Sequence, residues 1–224
     1  MHVIYLHGFA SSPASTKAAF FVERLRPHGI EVRCPDLNEP DFETLTVSRM
    51  IGQVDALVAT LAPGPVALIG SSLGGFAAYH LAARDARCGV RSPRASHPID
   101  RLVLLAPALD FGRSGFGTLD EAGLERWRVT DRSDVMHYAW NRVMPVRYAL
   151  YEDAQAYDSF TGDVRIPTLI FHGRLDSVVD PDMVLRFASD RPSVSLRMVD
   201  DDHQLGGSLG RLWTEVAAFM GVCS

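Results

Sequence analysis

Residues 66–75 of the chain read VALIGSSLGG, an apolar run that ends in the pattern Gly-x-Ser-x-Gly. An alanine-rich, helix-favouring stretch over residues 76–84 follows directly. This order predicts a buried strand, a tight turn and a helix, with Ser72 held in the turn. The residues on either side, Gly70 and Gly74, lack the Cβ atoms that would collide in such a turn.

The predicted turn gives Ser72 a chemical role. Its hydroxyl would be exposed at the carboxyl end of the strand, and the N–H of Leu73 would point from the helix N-terminus toward an oxygen bound beside it. The glycine spacing selects Ser72 and not the neighbouring Ser71. The alternative is a glycine-rich turn that only closes a tight corner between strand and helix.

Short apolar segments alternate with helical patterns along the rest of the chain. Besides the run before Ser72, the predicted strands cover residues 2–6, 30–34, 102–106, 167–171 and 195–199. This alternation predicts the α/β class, with a mostly parallel six-stranded sheet and helices on both faces. The carboxyl ends of such strands share one edge, so the loops after strands one, three and five should meet there.

Residues 107–163 fit no strand–helix unit and are rich in aromatic side chains. We expect a single domain over residues 1–224, in which this segment forms a small helical cap over the strand ends. The alternative is an ordinary extra helical layer.

Two further side chains complete a candidate catalytic set. Asp176 follows the fifth strand and His203 follows the sixth. An alcohol nucleophile needs a nearby base, and the base needs a partner that orients it. The order Ser72, Asp176, His203 is the order expected for this type of sheet. The N–H groups of Phe9 and Leu73 would then receive the developing oxyanion.

Other residues compete for these roles. Asp180 also follows strand five, and Asp110 follows strand four, so each is an alternative candidate for the acid. Residues 200–202 are aspartates that we interpret as a solvated turn. Six of the other histidines are interpreted as loop braces (His7, His172), a packing residue (His80) or surface residues (His28, His97, His137). No two have metal-ligand spacing on one helix, so we expect no metal site.

Composition narrows the class of protein. The net charge of −5 gives no electrostatic reason to bind nucleic acid or an anionic membrane, and no apolar run approaches the ~20 residues of a membrane helix. Three cysteines, an odd number without metal spacing, fit a reducing cytoplasm. We therefore expect a cytoplasmic protein with a small-molecule partner. The oligomeric state stays open.

The motifs YLHGFASSP (residues 5–13), GSSLGG (70–75), HGxxD (172–176) and Asp202-His203 together resemble the α/β-hydrolase superfamily. The chain is most similar to the small YqiA/YcfP-like esterases. This resemblance implies hydrolysis of an ester or thioester by a serine, without a cofactor.

Two classes of function remain open at this point. The first is a serine esterase that cleaves carboxylic esters of short to medium acyl length, with thioesterase or amidase as variants on the same triad. The second is a non-catalytic member of the fold that binds a small ligand. The presence of Ser72, Asp176 and His203 together favours the enzyme.

Overall fold

A computed structural model of the protein describes residues 1–88, 96–113, 115–116, 119–162 and 164–222, with side chains at 85–88 outside the description. The strands in these ranges are β1 (His2–Leu6), β2 (Val32–Arg33), β3 (Val66–Ser71), β4 (Ile99–Leu105), β5 (Ser133–His137), β6 (Arg142–Val146), β7 (Thr168–Gly173) and β8 (Val194–Val199). The α-helices are α1 (Thr16–Leu25), α2 (Val47–Ala59), α3 (Leu73–Cys88), α4 (Glu121–Thr130), α5 (Ala149–Ala154), α6 (Pro181–Ser189) and α7 (Leu209–Met220).

Six of the strands form one sheet in the order β2-β1-β3-β4-β7-β8, and every neighbouring pair is parallel. The predicted parallel six-stranded sheet is therefore confirmed. Strand order reverses at the β1/β3 pair, because the chain runs outward to β2 and then returns to β3. A reversal of this kind opens a crevice at the carboxyl ends of the strands.

Helices cover both faces of the sheet, as predicted. On one face, α1 and α7 bury side chains such as Phe21 and Leu212. On the other face, α2, α3 and α6 bury side chains such as Val54, Phe76 and Phe187. Since both faces are packed, the central strands β3 and β7 are buried along their whole length.

The helix starts follow from side-chain capping. Ser15 accepts a hydrogen bond from the amide of Ala18 at the start of α1, and Thr46 does the same for Arg49 at the start of α2. The second strand is shorter than predicted: only Val32 and Arg33 pair with β1. As an edge strand it has one neighbour, and the pairing ends where the loop turns away.

The segment over residues 107–163 differs from the expected helical insertion. It contains α4 and α5, but between them β5 and β6 form an antiparallel hairpin. Residues of β5 alternate in exposure, which is the two-residue period of a strand and not a helix. Trp127 of α4 is buried and donates its indole N–H to the carbonyl of Val146 at 2.9 Å, which ties α4 to the hairpin.

None of the helices in the described ranges is long and apolar enough to cross a bilayer.

Candidate active site

Ser72 lies between β3 and α3 in a left-handed backbone conformation, with φ of +52°. Left-handed conformations are strained for residues other than glycine and persist only where the surroundings hold them. The Ser72 amide donates to the carbonyl of Leu105 at 2.9 Å, and the Ser72 carbonyl accepts the amide of Phe76 at 3.1 Å. The backbone on both sides of Ser72 is therefore held in place while its side chain faces the crevice.

The glycines around Ser72 are required by close backbone approach. A Cβ atom at Gly70 would lie 2.6 Å from the carbonyl oxygen of Gly74. A Cβ atom at Gly74 would overlap the carbonyl oxygen of Leu6, at the end of β1. These contacts pack the turn against itself and against the neighbouring strand.

The His203 loop, residues 200–208 between β8 and α7, brings His203 to Ser72. The imidazole Nε2 lies 3.0 Å from the Ser72 Oγ, and Nδ1 lies 2.8 Å from Oδ2 of Asp176. The side chain of His203 is 12% exposed. Because Asp176 is an acceptor, the neutral ring carries its proton on Nδ1, and Nε2 is free to accept the hydroxyl proton of Ser72.

Asp176 is fully buried as a side chain and is bonded through both oxygens. Its Oδ1 accepts the amides of Val178 and Val179 at 2.8 and 2.9 Å, and Oδ2 faces His203. Burial by itself raises the pKa of Asp176, but the hydrogen bonds from His203 and the two amides outweigh burial, so the pKa is lowered overall. Asp176 is therefore a carboxylate at neutral pH.

The structure distinguishes Asp176 from its rivals. Asp180 caps the N-terminus of α6 by accepting the amide of Asp182 at 2.9 Å. Asp110 lies in the turn after β4. Both ring nitrogens of His203 are already engaged with Ser72 and Asp176, so neither rival carboxylate orients the imidazole.

The Phe9 loop, residues 7–10 after β1, passes directly beside Ser72. A Cβ atom added at Gly8 would lie 3.2 Å from both the Ser71 carbonyl oxygen and the Ser72 Cβ. The amide of Phe9 follows in this segment. Leu73 is the first residue of α3, where amides have no acceptor within the helix. Both predicted oxyanion donors therefore belong to backbone that adjoins Ser72.

Two histidines at strand ends brace the loops. His7 accepts the amide of Leu37 at Nε2 (3.0 Å), and burial lowers its pKa. His172 Nε2 donates to the carbonyl of Val179 at 3.1 Å and lies 3.3 Å from Oδ2 of Asp176. Burial is also the main cause of a lowered pKa at His172, so this ring is neutral and supports the Asp176 loop.

The expectation that His137 lies at the surface is wrong. His137 is fully buried at the end of β5, stacked on Trp140 with ring centroids 3.7 Å apart and edge-on to Phe42 at 4.7 Å. The turn of the hairpin folds the Trp140 ring over the imidazole. Sequence periodicity does not report such contacts between a strand end and its own turn.

The insertion also contacts the Phe9 loop. The ring of Phe9 packs against Phe42 at 5.2 Å and edge-on against Phe116 at 5.3 Å. The amide of Tyr138, in the hairpin turn, donates to the carbonyl of Ala10 at 3.0 Å. Phe9, Phe42 and Phe116 thus form an aromatic wall against the Phe9 loop, in which Phe42 and Phe116 are buried.

Two residues of this region were not identified from the sequence. A Cβ atom at Gly173 would overlap the Asp201 carbonyl, so this glycine lets the His203 loop approach β7. Lys17, on α1, contacts the carbonyls of His203 and Gln204. The sequence could have drawn attention to Lys17, because it is the single lysine of the chain.

Among the described residues, no group of three or more His, Cys, Asp or Glu side chains could hold a metal ion.

The sheet order, the strained serine turn and the contacting side chains define the α/β-hydrolase fold. Similar solved structures include a protein from Agrobacterium vitis S4, 23% identical, which covers 97% of this chain and 87% of its own with a TM-score of 0.84. Est1E from Butyrivibrio proteoclasticus with ferulic acid bound is 21% identical, with 97% and 87% covered and a TM-score of 0.79. Alpha/beta hydrolase domain-containing protein 10 from mouse is 19% identical, with 98% and 89% covered and a TM-score of 0.78.

The chain belongs to the family described as uncharacterised protein family UPF0227, which matches residues 2–220. The comparison with curated proteins found no match.

Proposed function

We propose that the protein is a serine hydrolase that cleaves carboxylic esters through an acyl-enzyme. The observation that carries this proposal is the continuous chain of contacts from Ser72 Oγ to His203 Nε2 at 3.0 Å and from His203 Nδ1 to Asp176 at 2.8 Å. These distances lie within the hydrogen-bond reach that proton transfer between nucleophile and base requires.

The chemistry would proceed in two halves. Ser72 Oγ attacks the ester carbonyl carbon while His203 Nε2 takes the hydroxyl proton, and the amides of Phe9 and Leu73 receive the oxyanion. His203 then gives this proton to the leaving alcohol, which leaves an acyl group on Ser72. Water attacks the acyl group, His203 takes a proton from it, and the acid departs as the Ser72 hydroxyl is restored. Asp176 holds the imidazole in the productive tautomer throughout.

We propose that the substrate carries an uncharged acyl group of short to medium length. The aromatic wall is apolar and includes the ring of Phe9, whose amide is a proposed oxyanion donor. The similar Est1E structure holds ferulic acid, so an ester of a phenolic acid belongs among the substrates to try. The reaction draws nucleophile, base and oxyanion donors from the chain itself, and we propose that it uses no cofactor and takes place in the cytoplasm on a small-molecule ester.

The test is burst release of the chromophore from a short-chain aryl ester. The wild-type protein should release one equivalent per active site rapidly and then turn over. Ser72→Ala should lower turnover by at least about 10³-fold, because no nucleophile remains. Circular dichroism should show that the variant is folded.

The matched control is the adjacent serine. Ser71 is buried at the end of β3, and Ser71→Ala removes the same hydroxyl group one residue away. This variant should retain turnover within a few-fold. Equal rates in Ser72→Ala and the wild type would overturn the proposed function.

A further inference from the structure

Nearly all basic side chains of this protein are arginines. Arginine and lysine together number 22, and only Lys17 is a lysine. Lys17 lies in the first turn of α1, where the residue is 9% exposed. Arg24, in the last turn of the same helix, is exposed. A buried amine is therefore found at one position of a chain that otherwise uses guanidinium groups.

The Lys17 ammonium contacts the His203 loop. Its Nζ donates to the carbonyl of Gln204 at 3.1 Å and to the carbonyl of His203 at 3.4 Å. These residues lie 187 and 186 positions away in the sequence, so the contact ties α1 to the loop after β8. Lys17 can therefore affect the imidazole without contacting it, because the loop that it bonds carries His203.

Several backbone amides of the His203 loop donate hydrogen bonds to side chains of the same loop. Asp201 accepts the amides of Asp202 and Ser208 at 2.9 and 2.8 Å, and Asp202 accepts the amide of Gln204 at 2.8 Å. The loop thus supplies its own acceptors for these amides. The two carbonyls that face α1 have Lys17 as donor, so its ammonium completes the loop's hydrogen bonds on that side.

We propose that Lys17 is a positioning residue that holds His203 within reach of Ser72 by bonding the backbone of the His203 loop. The inference rests on the proposed function, since His203 is taken as the base. Small displacements of a catalytic group lower rates steeply, and about 1 Å can reduce a rate by about 10²-fold. Lys17 does not touch the substrate, so its removal should change kcat and leave KM nearly unchanged.

The surroundings of the amine make its effect depend on pH. Burial lowers the pKa of Lys17 to about 8, while the carboxylates of Asp176, Asp201 and Asp202 favour the charged form. Lys17 is therefore an ammonium at neutral pH and loses its proton just above. A neutral amine makes weaker hydrogen bonds to carbonyls than an ammonium, so the loop should be held less firmly in that range.

The effect of Lys17 on the unfolding temperature distinguishes a positioning role from a purely structural one. The pKa of Lys17 is lower in the folded chain than its ordinary value of 10.5, so the charged amine disfavours folding at neutral pH. Lys17→Met keeps a side chain of similar length without the charge. This variant should unfold at the same temperature as the wild type or higher.

The experiment compares wild type, Lys17→Met and the control Arg24→Met with a short-chain aryl ester from pH 5.5 to 9.5. Lys17→Met should lower kcat by about 10- to 100-fold with KM within about 2-fold. The wild-type rate should decline above pH 8, and this alkaline decline should be absent from Lys17→Met. Arg24→Met removes a charge from the same helix and should match the wild type in rate and pH profile.

A readout that does not need turnover accompanies the kinetics. Lysine-selective ¹⁵N labelling gives a single ζ-nitrogen signal, because the chain has one lysine. Its titration midpoint should fall near pH 8. A midpoint near the ordinary value of about 10.4 would show a solvated amine and overturn the inference.

The remaining outcomes are also decisive. An unchanged kcat in Lys17→Met overturns the inference while leaving the proposed function in place. A loss of kcat that comes with a lower unfolding temperature and an unaltered pH profile shows structural support and also overturns it. A wild-type protein inactive on every ester overturns the proposed function itself, and the inference falls with it.

Discussion

Oδ2 of Asp176 lies 2.8 Å from Nδ1 of His203, although the two residues belong to loops that follow different strands. The other carboxylate oxygen of Asp176 accepts two backbone amides of its own loop. The carboxylate is thus held by β7 and the loop after it, while its second oxygen points to the His203 loop. This geometry orients the imidazole with little freedom for either side chain.

Asp176→Asn should lower kcat by about 10³- to 10⁴-fold with the fold retained. An amide at this position presents a donor to Nδ1–H of His203, so the imidazole is driven to the tautomer that cannot accept the proton of Ser72. Steady-state kinetics with an aryl ester measures the effect. Asp180→Asn is the control, because asparagine also caps helices and Asp180 lies outside the triad. Comparable losses in the two variants would contradict the assignment of the acid.

The rate and the fold should respond to acid at different pH values. kcat/KM should fall in acid, because a protonated imidazole cannot act as the base. The pKa of Asp176 is lowered in the folded chain, so its contribution to stability is present above the unfolded value of about 3.9 and is lost as pH falls below it.

Paired pH titrations of kcat/KM and of circular dichroism at equilibrium measure the two effects. We expect activity to disappear while the protein is still folded. A rate that is constant from pH 5 to 8 would contradict His203 as the base.

Phe9→Pro should lower kcat by about 10²- to 10³-fold more than Phe9→Ala does. Proline removes the backbone N–H that is proposed to receive the oxyanion, whereas alanine keeps it and removes only the ring. Phe9→Ala should mainly lower the unfolding temperature, since the ring packs against Phe42 and Phe116 in the aromatic wall. Thermal unfolding of both variants controls for loss of the loop structure. Equal kcat values in two folded variants would exclude the Phe9 amide as a donor.

Gly173→Ala should destabilise the protein by about 1–3 kcal/mol, because the added methyl group overlaps the backbone of the His203 loop. Its kcat should fall as well, since the loop must move away from β7. Gly210→Ala is the matched control: nothing lies within 4 Å of its Cβ position, and it belongs to helix α7. That variant should be stabilised by up to about 1 kcal/mol. Urea unfolding of both variants measures the difference, and equal stabilities would contradict the close approach at Gly173.

Much of the sheet could be predicted because its signals are local. Apolar runs of strand length alternate with helical periods, and β1 has its predicted bounds, residues 2–6, while β7 ends two residues beyond the predicted 167–171. The hairpin β5–β6 was missed because its strands are short and half exposed, so their alternation is weak beside the aromatic content of the segment. The buried position of His137 depends on that hairpin and could not be predicted without it.

Some features of the candidate site could likewise be predicted from the sequence, and others could not. Ser72 follows from the glycines that flank it, because a strained turn needs small neighbours within a few residues. Asp176 and His203 follow from strand order, since parallel strands end at one edge. The choice of Asp176 over Asp180 depends on the direction of one side chain, which a loop of several residues leaves open until it is folded.

By itself, the sequence determined the strand–turn–helix around Ser72 and the edge of the sheet at which its partners lie, because both depend on the backbone conformations of neighbouring residues. Only the tertiary structure decided that Lys17 contacts the carbonyls of the His203 loop, and that Phe42 packs edge-on against the buried ring of His137. Such contacts join residues far apart in the chain. Their geometry depends on how helices and loops pack on the finished sheet, which no local pattern records.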